Sequence, residues 1–261
     1  MSTATRSEGS PWDGRLTLTP GAVLYRGVGG DSGLHAHHAV QVMVSVDEPF
    51  VLEFADERLH TTAAVIPSGL PHRLHCASRR LLLVLVEPFG PRGRGLGLAG
   101  DRARGREFEA TMARIAIDRA DDSDAVRIID HLVRTIAPDG PPRPTRLSEP
   151  VLAALQQLER TPGSRPTLGH AAAAAHISPS RLTHLFSREV GIPFRRYALW
   201  IRLRTVAERV ALGDNLTQAA VAAGFSDSSH LSRVFKNNFG LSPSSLLGMT
   251  VRRDAWPEST S

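Results

Sequence analysis

The sequence predicts an α+β chain: an N-terminal β-barrel, a helical pair after it, and an all-α C-terminal domain in which a long helix joins two helix-turn-helix units. Three observations carry this. Up to about Glu87 the apolar residues come in short runs (Val40 to Val46, Phe50 to Phe54, Ala63 to Ile66, Leu81 to Val86) parted by Gly, Pro, Asp and Glu clusters, the pattern of many short strands in a barrel or sandwich. From Phe108 onward the apolar spacing turns helical. After Ser148 a short helix, a tight turn and a second helix occur twice, about 50 residues apart.

In chain order, residues 1–20 are expected to be extended or disordered, and residues 21–89 to form the barrel. Residues 90–137 hold a loop and a helical pair. Gly90 to Gly105 is rich in Gly and Arg and reads as the loop. Phe108, Met112, Ile115 and Ala116 make the apolar stripe of the first helix, and Val126, Ile129, Leu132, Val133 and Ile136 that of the second. Between them, Asp121, Asp122 and Asp124 supply a cap and an acidic first turn. Such a pair either covers the barrel or joins two subunits as a homodimer. Residues 138–147 are a Pro-rich linker, residues 148–253 the C-terminal domain, and residues 254–261 a flexible tail.

Composition narrows the function classes. A chain of 261 residues makes one large domain or two ordinary ones, and 41% hydrophobic with 22% charged residues is a folded globular mix. No apolar run approaches the roughly 18 residues of a membrane-spanning helix, so no membrane partner is expected. Met1 to Gly14 has no apolar centre, so it is not expected to be a signal peptide. The single cysteine, Cys76, leaves no internal disulfide, and a cytoplasmic setting is expected. The charge is uneven: residues 148–253 carry 13 Lys and Arg against 6 Asp and Glu, whereas residues 1–147 carry 18 of each. A cationic part joined to a neutral one is the footprint of a polyanion-binding module.

The C-terminal part reads helix by helix. Thr167 opens a short Ala-rich helix, Ile177-Ser178-Pro179 turns, and Arg181 to Val190 continues. Phe194 to Ala211 is the long helix, spanning roughly 27 Å at 1.5 Å per residue. Leu216 to Ala223 is short again, Gly224 to Asp227 turns, and a last helix starts at Ser228 and stops at Gly240. Helical phase sends Ser180, Arg181, Thr183 and His184 outward from the first unit while Leu182, Leu185 and Phe186 turn inward. In the second unit it sends Ser228, Ser229, Ser232 and Arg233 outward.

The second unit resembles the AraC/XylS family of transcription regulators. It carries Ala220, Gly224-Phe225, Asp227, Leu231, Arg233, Phe235-Lys236, Gly240 and Ser242-Pro243-Ser244 at that family's spacings, and the likeness extends over about 100 residues. Two departures are Ser187-Arg188, where the family has a Lys pair, and Leu246-Leu247, where Tyr-Arg is common. The resemblance implies double-stranded DNA as partner, with RNA polymerase contacted during activation. It places base readout on Ser180, Thr183, His184, Ser228, Ser229, Ser232 and Arg233, beside Arg181. Arg233 is the residue suited to a bidentate guanine contact. Arg195, Arg202, Lys236 and Asn237 are implied at phosphates, which position without specifying.

In the strand zone His35, His37 and Gln41 stand at i, i+2 and i+6, which on one strand shares one face. With Pro67, Gly69 and His72 they resemble the two cupin motifs, a likeness covering Ala22 to Val86. It implies a cupin-like sensor barrel in which His35, His37, Gln41 and His72 line an effector pocket or hold a divalent metal (Zn, Fe, Mn or Ni). His38, His75 and Cys76 stand near enough in sequence to join it. The expected function is a DNA-binding regulator, not an enzyme, controlled by a small-molecule or metal effector. The alternative is a cupin-type metalloenzyme, a dioxygenase or isomerase, fused to a DNA-binding domain.

Overall fold

The computed structural model describes residues 12–19, 21–88, 91–98, 105–118, 124–138, 147–160, 167–190 and 192–253. Its first part is built from β1 (Asp13–Thr19), β2 (Ala22–Val28), β3 (Ser32–His35), β4 (Val40–Ser45), β5 (Phe50–Glu53), β6 (Arg58–Thr61), β7 (Ala63–Ile66), β8 (His72–His75) and β9 (Leu81–Val86). Three helices follow, α1 (Pro91–Leu98), α2 (Arg106–Asp118) and α3 (Ala125–Ile136). The C-terminal part comprises α4 (Glu149–Arg160), α5 (Leu168–Ala174), α6 (Pro179–Val190), α7 (Phe194–Ala211), α8 (Leu216–Ala222) and α9 (Ser228–Phe239), then a 3-10 turn, Pro243–Gly248, and β10 (Met249–Arg253). Among the described residues no helix is long and apolar enough to cross a membrane.

The strands form two sheets, one ordered β10-β1-β2-β9-β4-β7 and one ordered β3-β8-β5-β6. Alternation along the strands divides the larger sheet into two faces. Tyr25, Met43 and Leu81 point inward and meet Phe50, Leu52 and Leu74 of the smaller sheet. Leu24, Val42, Val44 and Val84 point outward and are covered by Leu96, Met112, Ile115, Ile128, Ile129 and Leu132 of the three helices. Strand β4 is therefore buried on both faces, which is why Val40 to Val44 reads as an almost continuous apolar run. The helical pair covers the barrel, with Asp124 capping α3 by accepting from the Arg127 amide at 3.1 Å.

The structure corrects three expected boundaries. Residues 13–19 are a full strand, because each pairs antiparallel with β2 from Asp13↔Val28 to Thr19↔Ala22. Residues 91–98, expected as loop, form α1, whose Leu96 is fully buried against the sheet; that burial outweighs the poor helix propensity of its glycines. The C-terminal domain also does not end on itself. Strand β10 adds parallel to β1, from Gly14↔Met249 to Leu18↔Arg253, and so extends the barrel's own sheet. The expectations for residues 1–11, most of the 138–147 linker and residues 254–261 fall outside the described residues.

The two helix-turn-helix units repeat down to single hydrogen bonds. In the first turn the Ile177 amide donates to Ala172 O at 3.0 Å, and in the second the Phe225 amide donates to Ala220 O at 2.9 Å. Each turn needs one residue at positive φ: Gly224 at 78° in the second unit and His176 at 54° in the first. A side chain there costs about 1 kcal/mol that glycine does not. His176→Gly is expected to raise stability by about 1 kcal/mol in urea unfolding; a loss would show that the imidazole makes a contact worth more than the backbone strain.

Candidate nucleic-acid interface and histidine pocket

The reading helices begin at matched caps. Ser178 Oγ accepts from the Arg181 amide at 3.2 Å, and Asp227 Oδ1 accepts from the His230 amide at 2.7 Å. Below the caps, Leu182 and Phe186 of α6 and Leu231 and Phe235 of α9 enter one core. This leaves Ser180, Arg181, Thr183 and His184 exposed on α6, and Ser229, Ser232, Arg233, Lys236 and Asn237 exposed on α9, with Ser228 half-buried. Arg195 is exposed at the start of α7. Thr183 turns its hydroxyl to Pro179 O at 2.9 Å, leaving its methyl and one oxygen lone pair outward.

Arg202 departs from the phosphate role. Its Nε donates to Ala223 O at 2.9 Å, its Nη2 donates to Gly224 O at 2.7 Å, and the guanidinium lies 4.0 Å from the centre of the Phe225 ring. The residue braces the second turn from α7, a role no local pattern signals because the carbonyls it serves lie some twenty residues away. Arg202→Ala should cost about 2–3 kcal/mol of stability, since two buried carbonyls lose a charged donor. It should leave the salt dependence of duplex binding unchanged; a slope lower by about 1 would return Arg202 to the phosphates.

His35, His37 and His72 come together in the barrel, each buried, with one ring nitrogen apiece lying within 4.8 Å of the others. Sequence alternation alone would not have done this. Strand β3 ends at His35, and residues 36–39 are a bend before β4. The bend, not one strand face, turns His37 and Gln41 toward His35, while β8 brings His72 opposite His35 in register. His75 goes elsewhere, to Asp31 and Glu53 at the surface. Cys76 packs against Gly29, and burial pushes its thiol up to about 11.

The tautomers follow from the backbone. Nδ1 of His35 donates to Gly33 O at 2.9 Å, Nδ1 of His37 to Ala39 O at 3.0 Å, and Nδ1 of His72 to Leu70 O at 2.9 Å. Each Nε2 is therefore a lone pair. Burial, with the neighbouring His72 next in weight, holds His35 down to about 3 and His37 to about 4; burial also lowers His72. All three are neutral near pH 7. The Nε2 of His72 is fully buried with no hydrogen-bond partner among the described residues, and the Nε2 of His37 lies 2.7 Å from Gln41 Oε1. This donor set fits a divalent transition metal: neutral imidazoles oriented by carbonyls, plus one amide oxygen.

A cavity of about 120 Å³ adjoins this cluster. Barrel residues Trp12, Tyr25, His35, His37 and Gln41 form one wall; Trp200, Leu203, Phe235 and Phe239 of the C-terminal domain form the other. The pocket is thus not enclosed by the barrel, and His72 is not among its lining residues, contrary to the expectation that all four matched residues line one effector pocket. His38 faces away from the triad, toward Tyr197 at 5.9 Å and Trp200 at 6.3 Å between ring centres, and burial holds it down to about 3.

These depressed histidines set a pH dependence. In the unfolded chain they bind protons below about 6.5, whereas in the fold they do so only near 3 to 4. Stability therefore falls as pH drops from about 6.5 to about 4, by up to about 1.4 kcal/mol per pH unit for each histidine. Urea midpoints measured between pH 7 and pH 5 should show this fall, and His38→Gln should make it shallower.

Comparison with known proteins supports both parts. Residues 171–249 match a helix-turn-helix domain family. The transcriptional activator RhrA of Rhizobium meliloti (strain 1021) is 37% identical over 79 residues, 29% of this chain and 24% of RhrA, so the likeness takes in about a quarter of that protein. Among solved structures, an apo point variant of ToxT from Vibrio cholerae aligns over 87% of this chain and 97% of its own, with TM-score 0.56 and 11% identity. ToxT bound to (E)-4-(8-methylnaphthalen-1-yl)but-3-enoic acid aligns over 87% of this chain and 98% of its own, with TM-score 0.53 and 13% identity. At such identity the likeness is one of fold: an N-terminal β domain followed by a helical reading domain.

Proposed function

We propose that the chain is an AraC/XylS-type, sequence-specific transcription regulator whose hold on its operator is controlled by a ligand at the histidine pocket. The observation that carries the reading is the pair of capped helices, α6 and α9, that expose Ser, Thr, His, Arg and Lys from a shared apolar core. Their basic surroundings supply sequence-independent attraction to phosphates, and the short polar side chains supply base discrimination. RhrA is named an activator, which supports contact with RNA polymerase as the mode of action. The protein acts in the cytoplasm as a homodimer in this reading.

The controlling ligand is a divalent metal held by His35, His37 and His72, with Gln41 Oε1 as a further oxygen donor; bound there, it would supply fixed positive charge and rigid geometry. His72 Nε2, buried without a partner, supports this most directly. A second reading places an organic effector in the adjoining cavity. Its apolar walls and the acid-bound state of ToxT favour that reading, but about 120 Å³ is small beside the roughly 300–1,000 Å³ of ordinary ligand sites. A metalloenzyme reading has less behind it. The Tyr25 hydroxyl at the cavity is turned to the carbonyls of Asp13 and Val28, and Arg204 is tied to Glu159 and Glu208, so neither stands ready for proton transfer.

Selection from random duplex DNA tests the function. Enriched sequences should be bipartite, with half-sites about 10 bp apart, one for each reading helix. Arg233→Ala should lose about 1–3 kcal/mol and relax a single base position. No enrichment by the wild-type chain, with zinc or without it, would refute sequence-specific binding.

A further inference from the structure

One backbone residue, Gly33, connects the histidine pocket to the second reading helix through its two flanking peptide groups. Gly33 in β3 donates its N–H to Gly240 O at 3.0 Å, and its own carbonyl accepts from His35 Nδ1 at 2.9 Å. The Gly240 amide donates in turn to Lys236 O, in the last turn of α9, at 2.8 Å. The approach is close enough that only glycine fits. A Cβ on Gly240 would lie 2.4 Å from the Gly33 oxygen and 2.9 Å from His35 Nδ1, and Gly240 holds the left-handed conformation at φ 67°. Beside it the Phe239 ring stands 6.4 Å from the ring of His37. Two of the three convergent imidazoles thus bear on the end of one helix. The other reading helix has a different setting, since α6 packs on α4, α5 and α7.

We propose that metal occupancy at His35, His37 and His72 is sensed by α9 through Gly33 and the His37–Phe239 contact, fixing the pose of the second reading helix and not of the first. The inference rests on the reading of the pocket as the control site. A cation on Nε2 withdraws electron density from the ring and makes Nδ1–H a stronger donor. Held by coordination, His35 would fix the Gly33 carbonyl that it donates to, and with it the neighbouring Gly33 N–H that Gly240 O accepts, so the end of α9 is held against β3. Coordination also fixes the plane of His37, against which Phe239 rests. A ligand shifts such an equilibrium only by binding one arrangement better than the other, and the Gly33 bond supplies that difference.

Calorimetric zinc binding and amide hydrogen exchange on the full chain test this together. Zinc should bind the wild-type chain and slow exchange of the amides at 236–240 about tenfold, a factor within ordinary coupling between sites, while residues 179–190 stay unchanged. Phe239→Leu touches none of the backbone bonds that orient the three imidazoles; it should bind zinc as the wild type does and lose the slowing at 236–240. Zinc binding that leaves 236–240 unchanged, slows 179–190 equally, or keeps its effect in a folded variant overturns the coupling and spares the pocket reading. Failure of zinc, manganese, nickel and ferrous iron all to bind the wild-type chain overturns the metal reading of the pocket itself, and the coupling with it.

Discussion

Burial of α7 on several sides is the constraint from which the arrangement of the molecule follows. Phe194, Tyr197, Trp200, Ile201, Leu203 and Val206 are all buried, and they do not lie on one stripe. A helix buried this widely needs partners around its circumference. α4 and α6 supply one side, α8 another, and the barrel closes the remainder through Leu18, Val23, Ala39 and Leu85 in the same continuous core. Each large ring removes about 150–250 Å² from water, so Tyr197 and Trp200 alone give the docking of barrel and reader a large apolar drive.

Polar groups then fix how the two parts meet. Glu87, just after β9, accepts from the Tyr197 hydroxyl, and burial raises its carboxyl above the usual range. Arg204, also on α7, pairs with Glu159 of α4 and lies 3.5 Å from Glu208. Such groups, taken out of water, contribute less to net stability than to uniqueness: sliding α7 along the barrel would leave the Glu87 carboxyl buried without Tyr197. Strand β10 acts in the same sense, because its register with β1 cannot shift by one residue without turning Val251 outward. The cavity between the domains therefore has defined walls, and the histidine cluster lies against the end of α9.

Much of this was legible in the sequence where local forces decide. The bounds of α7, β7 and β9 were read to the residue because caps, proline and apolar period act over a few positions. Ser180, Thr183, His184, Ser229, Ser232 and Arg233 were placed outward by helical phase alone, and they are outward. Convergence of His72 with His35 and His37 was implied by the cupin likeness, and the alignment of His35 with His37 by spacing, although the reason differs: a bend between β3 and β4 brings them together, where one strand face was expected. Arg202 was misread because an exposed-phase arginine on a helix looks the same whether phosphate or a neighbouring turn receives it. Strand β1 and helix α1 were missed because their formation depends on surfaces far along the chain, the edge of β2 and the outer face of the large sheet.

What the sequence by itself determined, then, is the inventory: a strand-rich domain carrying three imidazoles, and two capped reading helices on either side of a long rod. These depend on propensity, periodicity and capping, all of which act within a turn or two. The tertiary structure alone decided that the two parts share a core, that β10 completes the barrel's sheet, and that Gly240 closes against Gly33. Those facts arise from pairings between residues some two hundred positions apart, where close packing and unsatisfied backbone groups select one arrangement, and no local pattern of residue types announces which glycine will meet which.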